Sequence, residues 1–182
     1  MERRTALKLI AAGVIAERLE SAQHHLVTIA QAPAAYKLQF FSPAQNDLLD
    51  RLSDMIIPTD DHSPGAHEAK VSFFIDLMVA NSKKEVQEQW ITGLRAVDAE
   101  AQNRFQKPFL KLSAGQQGRI MATMAANEGK PATELERFFA RLKSMTIDGY
   151  YTSPIGIHKD LQYKGNTALA EFPGCTHPEH QA

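Results

Sequence analysis

The densest set of chemically competent side chains in this sequence is Asp60-Asp61-His62, followed by His67 and Glu68 around Ser63-Pro64-Gly65. Carboxylate oxygens and imidazole nitrogens that close on one point can hold a divalent ion. The spacing is not that of His-Glu-x-x-His, His-x-x-x-His or an EF-hand loop. The other reading is a solvated loop leading into a helix with an acidic first turn, which the helix dipole favours. Two classes therefore stand side by side: a metal-dependent enzyme or free-standing binding protein using Asp60, Asp61, His62 and His67, and a chain whose chemistry lies elsewhere. His24-His25, His177 and His180 have no comparable partner set. No Gly-x-Gly-x-x-Gly, Walker loop or Gly-x-Ser-x-Gly elbow occurs, so no nucleotide or nucleophile site is legible and no cofactor is expected in this chain. The carboxylate pairs Asp60/Asp61 and Glu134/Glu136 read as loop and cap residues. Cys175 is the single cysteine. In an exported protein an unpaired cysteine suggests a bond to another chain or a free thiol, and a buried inert thiol is the alternative.

The elements that must position these residues can be read from cap signals and apolar spacing. Ser42/Gln45, Ser82/Glu85, Ser113/Gln116 and Thr133/Glu136 are capping boxes, each predicting a helix start. Ser63-Pro64 predicts a fifth, with Ser as N-cap and Pro at the first helical position. Leu48, Leu49, Leu52, Met55 and Ile56 follow the first start, and Pro58 closes that segment. Val71, Phe74, Ile75 and Met78 fall at i, i+3, i+4 and i+7. Trp90, Leu94, Val97, Ala101 and Phe105 make a stripe over four turns, and Leu135, Phe138, Phe139, Leu142 and Met145 form the last stripe. No period-2 run of β-branched residues is present. The fold expected is all-α, a small bundle of about five helices after an N-terminal leader helix, ending in a long irregular tail.

From Gly149 onward the pattern changes. Four of the ten glycines and three of the four tyrosines lie in this last stretch, without helical period. An irregular segment of this length is uncommon in a compact domain unless it is functional. Tyrosine, with an apolar body and polar tip, suits a contact surface.

The chain of 182 residues is 43 % hydrophobic and 23 % charged, with 20 Lys+Arg against 21 Asp+Glu. These values argue against disorder, and the net charge of −1 gives no footprint for nucleic acid. The N-terminus is read as an address. Arg3-Arg4 stand before a short apolar stretch from Leu9 to Ala16, a pairing that looks like a twin-arginine export signal, with Glu2 and Ala6 where that pattern usually has Ser or Thr and Phe. Ala32-Pro33-Ala34 would permit cleavage before Ala35. An amphipathic N-terminal helix with two exposed arginines is the alternative. The division expected is a leader over 1–34, a helical body over 35–149 and a partner-binding tail over 150–182, in a protein exported to the periplasm.

Taken together, these features resemble the gluconate 2-dehydrogenase subunit 3 family. The resemblance runs from Phe40-Phe41 and the Leu48 to Pro58 segment through Asp60-Asp61 and Pro64-Gly65-Ala66. It continues through Val71, Phe74-Ile75-Asp76, Trp90 with Gly93-Leu94 and Asp98, and Phe138-Phe139. It closes on Thr146, Gly149-Tyr150-Tyr151-Thr152-Ser153, Tyr163-Lys164-Gly165-Asn166 and Pro173-Gly174-Cys175. The resemblance implies a non-catalytic small subunit that binds, chaperones and exports a large subunit of the glucose-methanol-choline (GMC) type. That partner would carry FAD and oxidise a sugar or sugar acid, and a c-type cytochrome subunit would take the electrons onward. It implies Arg3 and Arg4 as the export signal, and Tyr150, Tyr151, Ser153, Tyr163, Gly165, Pro173 and Gly174 as the partner interface. Cys175 would then be available for an inter-chain disulfide.

Overall fold

A computed structural model describes residues 36–165, and the leader with Arg3 and Arg4 lies outside them. The chain divides into two compact units, 1–37 and 38–182, and the helical body belongs to the second. Among the described residues there are five α-helices and no strand: α1 (Pro43–Ile56), α2 (Val71–Ala80), α3 (Lys84–Phe105), α4 (Ala114–Met124) and α5 (Glu134–Tyr151). A 3₁₀ turn (Phe109–Lys111) precedes α4, and a π-helical turn (Gly156–Asp160) follows α5. The all-α expectation is met.

Three of the four capping boxes form. The Oγ of Ser42 and Ser113 and the Oγ1 of Thr133 accept from the backbone N–H three residues on, and Gln45, Gln116 and Glu136 accept from the cap N–H in return. Ser82 departs from expectation. Its hydroxyl donates to the Met78 carbonyl at 2.8 Å, and α3 starts one residue later with Lys83 as cap. The reason is the end of α2, whose last four carbonyls lack intrahelical N–H donors and accept from other groups instead. Asn81 Nδ2 donates to Leu77 O, Ser82 to Met78 O, and Gln87 Nε2 to both Val79 O and Ala80 O. With three residues between the two helices, the serine closes the first instead of opening the second.

The start expected at Ser63-Pro64 is also corrected. Residues 57–70 form a tight turn, and α2 begins at Val71 behind Lys70 in the left-handed region at φ 58°. The turn folds back on itself through Ala66 N–H to Ile57 O at 2.8 Å. A Cβ on Gly65 would lie 2.5 Å from Thr59 N and 2.6 Å from Ile57 O, so only glycine permits this approach.

Helix α5 is the centre of the body and packs against the other four. Its Phe138, Phe139, Leu142 and Tyr150 are buried, as are Trp90, Leu94 and Val97 of α3. Phe138 meets the Trp90 ring edge-on at 5.5 Å, and Trp90 meets Phe41 at 6.3 Å. Two glycines let helices approach α5. A Cβ at Gly93 would fall 2.0 Å from Phe138 Cδ2, and one at Gly149 would fall 2.7 Å from Phe74 Cδ1. Gly149 is therefore a packing position inside α5, not the start of an irregular tail. Helical structure continues to Tyr151 and resumes over Gly156–Asp160, against the boundary expected after 149.

Candidate partner-binding face

The side chains grouped by the sequence around residue 60 have separate partners. Asp60 Oδ1 accepts from the backbone N–H of His62 at 2.9 Å and of Ser63 at 2.8 Å. These bonds favour its charged form and hold its pKa below the ordinary carboxylate value. Glu68 is lowered likewise by backbone and Thr59 hydroxyl donors, with Thr59 Oγ1 at 3.0 Å. His67 Nδ1 sits 2.6 Å from Asp50 Oδ2, and Ser72 Oγ donates to the other Asp50 oxygen at 3.2 Å. His62 Nε2 faces in another direction, 3.0 Å from the carbonyl of Asp160, and Asp61 is exposed. Among the described residues no three His, Cys, Asp or Glu side chains converge on a point. Asp60 satisfies the backbone of the turn, and Glu68 accepts from the Thr59 hydroxyl.

That turn is the seat for the C-terminal end of the body. Tyr150, 2 % exposed, places its hydroxyl 2.8 Å from Pro64 O and 2.9 Å from Ser63 Oγ. The sequence reading put Tyr150 on a partner; it is a core residue of this chain, because the turn supplies both hydrogen-bond partners its buried hydroxyl requires. Ser153 is corrected in the same way. Its Oγ donates to Tyr150 O at 2.6 Å and accepts from Gly156 N at 3.0 Å, which stitches the end of α5 to the π-helical turn. Gly156 passes so close that a Cβ would lie 2.2 Å from Tyr150 O.

Tyr151 and Tyr163 are placed differently. Tyr151 packs its ring edge-on against Tyr150 at 5.1 Å yet is 40 % exposed, and its hydroxyl is bonded to the Asp160 carboxylate, which raises its pKa. Asp160 is also the residue whose carbonyl meets His62. Tyr151, Asp160 and His62 thus clasp helix, π-helical turn and the 57–70 turn together. Beyond the clasp, Tyr163 N–H donates to Ile157 O at 3.0 Å while its side chain is 49 % exposed, and Leu161 is exposed beside it in sequence. Gly165 has φ 95°, a conformation that L side chains rarely adopt. Pro173, Gly174 and Cys175 lie outside the described residues. The clasp therefore presents two partly exposed, hydroxyl-tipped rings, and within it His62 Nε2 also lies 3.5 Å from Asp160 Oδ1.

One residue escaped the sequence reading as a functional position. Asp76 of α2 is fully buried and accepts three backbone N–H bonds, from Gln39 at 2.7 Å, Phe40 at 3.1 Å and Phe41 at 2.8 Å. It anchors the strand of chain that enters the body. The signal was present: Ser72, Asp76 and Val79 lie on one face of the most apolar helix, and a carboxylate on a core face must be paired.

Comparison with known proteins gives one family: the model described as gluconate 2-dehydrogenase subunit 3 matches residues 43–174. No curated protein and no solved structure matches the chain. The matched span covers all five helices, the 57–70 turn and the clasp.

Proposed function

Because the chain belongs to the gluconate 2-dehydrogenase subunit 3 family, we propose that it escorts the catalytic subunit of a flavin-dependent sugar dehydrogenase. The family describes an accessory subunit, and the partner is a dehydrogenase. In this reading the partner is of the GMC type and carries the FAD, this chain holds none, and a c-type cytochrome subunit receives the electrons. The paired Arg3-Arg4 leader takes the assembled complex to the periplasm. The rationale is physical: a flavin loaded in the cytoplasm requires the holoenzyme to cross the membrane already folded, so one leader suffices for two chains. The observation that carries the reading is the clasp. It spends its polar groups on rigidity and leaves Tyr151 and Tyr163 exposed, which is how a surface is prepared for a partner rather than for a small substrate.

The test is expression of the dehydrogenase subunit with and without this chain, followed by fractionation and assay of flavin-bound activity. Periplasmic activity is expected only with the wild-type chain, and Arg3→Lys/Arg4→Lys should hold both chains in the cytoplasm. Tyr151→Ala and Tyr163→Ala should loosen the complex, so that this chain is still exported while more of the dehydrogenase stays in the cytoplasm. Full exported activity of the dehydrogenase alone would overturn the reading.

A further inference from the structure

The exposed ring of Tyr151 is held from two sides, and both supports lead back to the 57–70 turn. On one side it meets the Tyr150 ring edge-on at 5.1 Å, and Tyr150 is fixed through its hydroxyl to Pro64 O and Ser63 Oγ. On the other side the Tyr151 hydroxyl donates to the Asp160 carboxylate. Asp160 in turn faces His62 Nε2 with two atoms, its carbonyl oxygen at 3.0 Å and Oδ1 at 3.5 Å. The Asp160 side chain is 22 % exposed against 52 % for that of His62, so little of it is left for a partner to touch. Its placement suits it to hold a neighbour in position.

The same residue aims the chain that leaves the π-helical turn. Leu161 N–H donates to Gly156 O at 2.9 Å, Gln162 turns the backbone through the left-handed region at φ 49°, and Tyr163 N–H donates to Ile157 O at 3.0 Å. These two bonds are internal to residues 156–163 and shape the turn without directing it. Asp160 reaches outside it, to Tyr151 of α5 and to His62.

We infer that Asp160 is a positioning residue for the partner contact: it fixes the Tyr151 ring in the orientation that the dehydrogenase subunit receives, and His62 holds Asp160 in place. The inference rests on the accessory-subunit reading and gives Tyr151 a divided role. Its hydroxyl hydrogen is spent inside this chain, so the apolar face of the ring is what it offers the partner. A tyrosine already fixed by its own chain has less torsional freedom to lose when it is covered, which strengthens binding without a new contact.

The experiment uses the full chain purified with its dehydrogenase subunit, with affinity read from a dilution series. Asp160→Ala and Tyr151→Phe remove opposite ends of one bond, and each should weaken association about threefold to tenfold, the effect of ordering one side chain on binding. The double variant should bind no worse than the weaker single one, because both remove the same interaction. Asp160→Asn keeps an acceptor and should recover most of the affinity lost in Asp160→Ala. The phenol itself gives a readout that fold stability alone would not move. In an alkaline ultraviolet titration, the tyrosine missing from Tyr151→Phe should ionise at lower pH in Asp160→Asn than in wild type, since the bond to the carboxylate and its charge both oppose the phenolate. Wild-type affinity in folded Asp160→Ala or Tyr151→Phe overturns the inference while leaving the escort reading intact. So do losses that add in the double variant, or a phenol that Asp160→Asn leaves unmoved. If Asp160→Ala does not fold, Tyr151→Phe and the titration of Asp160→Asn decide the matter by the same outcomes. A wild-type chain that captures no dehydrogenase overturns both.

Discussion

Replacing Asp76 tests the link between the core and the segment that enters it. In Asp76→Ala three backbone N–H groups lose their acceptor. Leaving one buried donor unpaired costs about 1–3 kcal/mol. The Phe41 bond is buried, whereas those of Gln39 and Phe40 are only partly so, and water can recover part of their loss. One full and two partial penalties, less a few tenths for the better helix propensity of alanine, give about 3–5 kcal/mol. That is a large share of the 5–15 kcal/mol, roughly, by which domains are stable. Asp76→Asn keeps one oxygen and the shape, and should cost about half as much, because its amide nitrogen faces a donor. Urea denaturation of the full chain measures both, with the midpoint falling at nearly constant slope. Hydrogen exchange should show residues 39–41 losing protection before α5 does, and the Phe41–Trp90 contact should loosen with them. A loss below about 1 kcal/mol in Asp76→Ala would refute the reasoning, since it would mean these amides do not depend on the carboxylate.

Two further outcomes test the fold. Glu136 accepts from Thr133 N, Ala132 N and Asn127 Nδ2, and its pKa is lowered from 4.5 to about 2. A depressed carboxylate stabilises the folded state above its unfolded pKa and loses that contribution as pH falls toward the folded one. The melting-temperature gap between wild type and Glu136→Gln should thus be full above pH 4.5 and close on the way to pH 2; a gap constant across that window would count against the bonds. Glycine-to-alanine substitution should change sign with position. Gly93→Ala gains about 1 kcal/mol of helix propensity but strikes the buried Phe138 ring and should destabilise by about 1–3 kcal/mol net. Gly118→Ala, with nothing within 4 Å, should stabilise by about 0.5–1 kcal/mol, and equal effects in thermal melts would be inconsistent with the close approach of α3 to α5.

The sequence by itself determined what depends on neighbours in the chain. Three capping boxes, the four-turn stripe from Trp90 and the α5 stripe are local or periodic signals, and each is realised. The family was legible too, since the resemblance carried by short motifs is matched by the family model over residues 43–174. The tertiary structure decided which of two nearby demands a side chain meets. Ser82 could open α3 or close α2, and the orphan carbonyls of α2 take it. Tyr150 and Tyr151 are adjacent and chemically identical in sequence. Only the 57–70 turn, folded against the end of α5, buries the first hydroxyl on Pro64 and leaves the second ring at the surface. The residues around Asp60 look convergent along the chain and diverge in space, because Asp60 satisfies the turn's backbone while His67 turns to Asp50 and His62 to Asp160. Asp76 needed the fold most of all. A buried charge is readable as a demand for partners, but its donors lie 35 to 37 residues away, where no local pattern reaches.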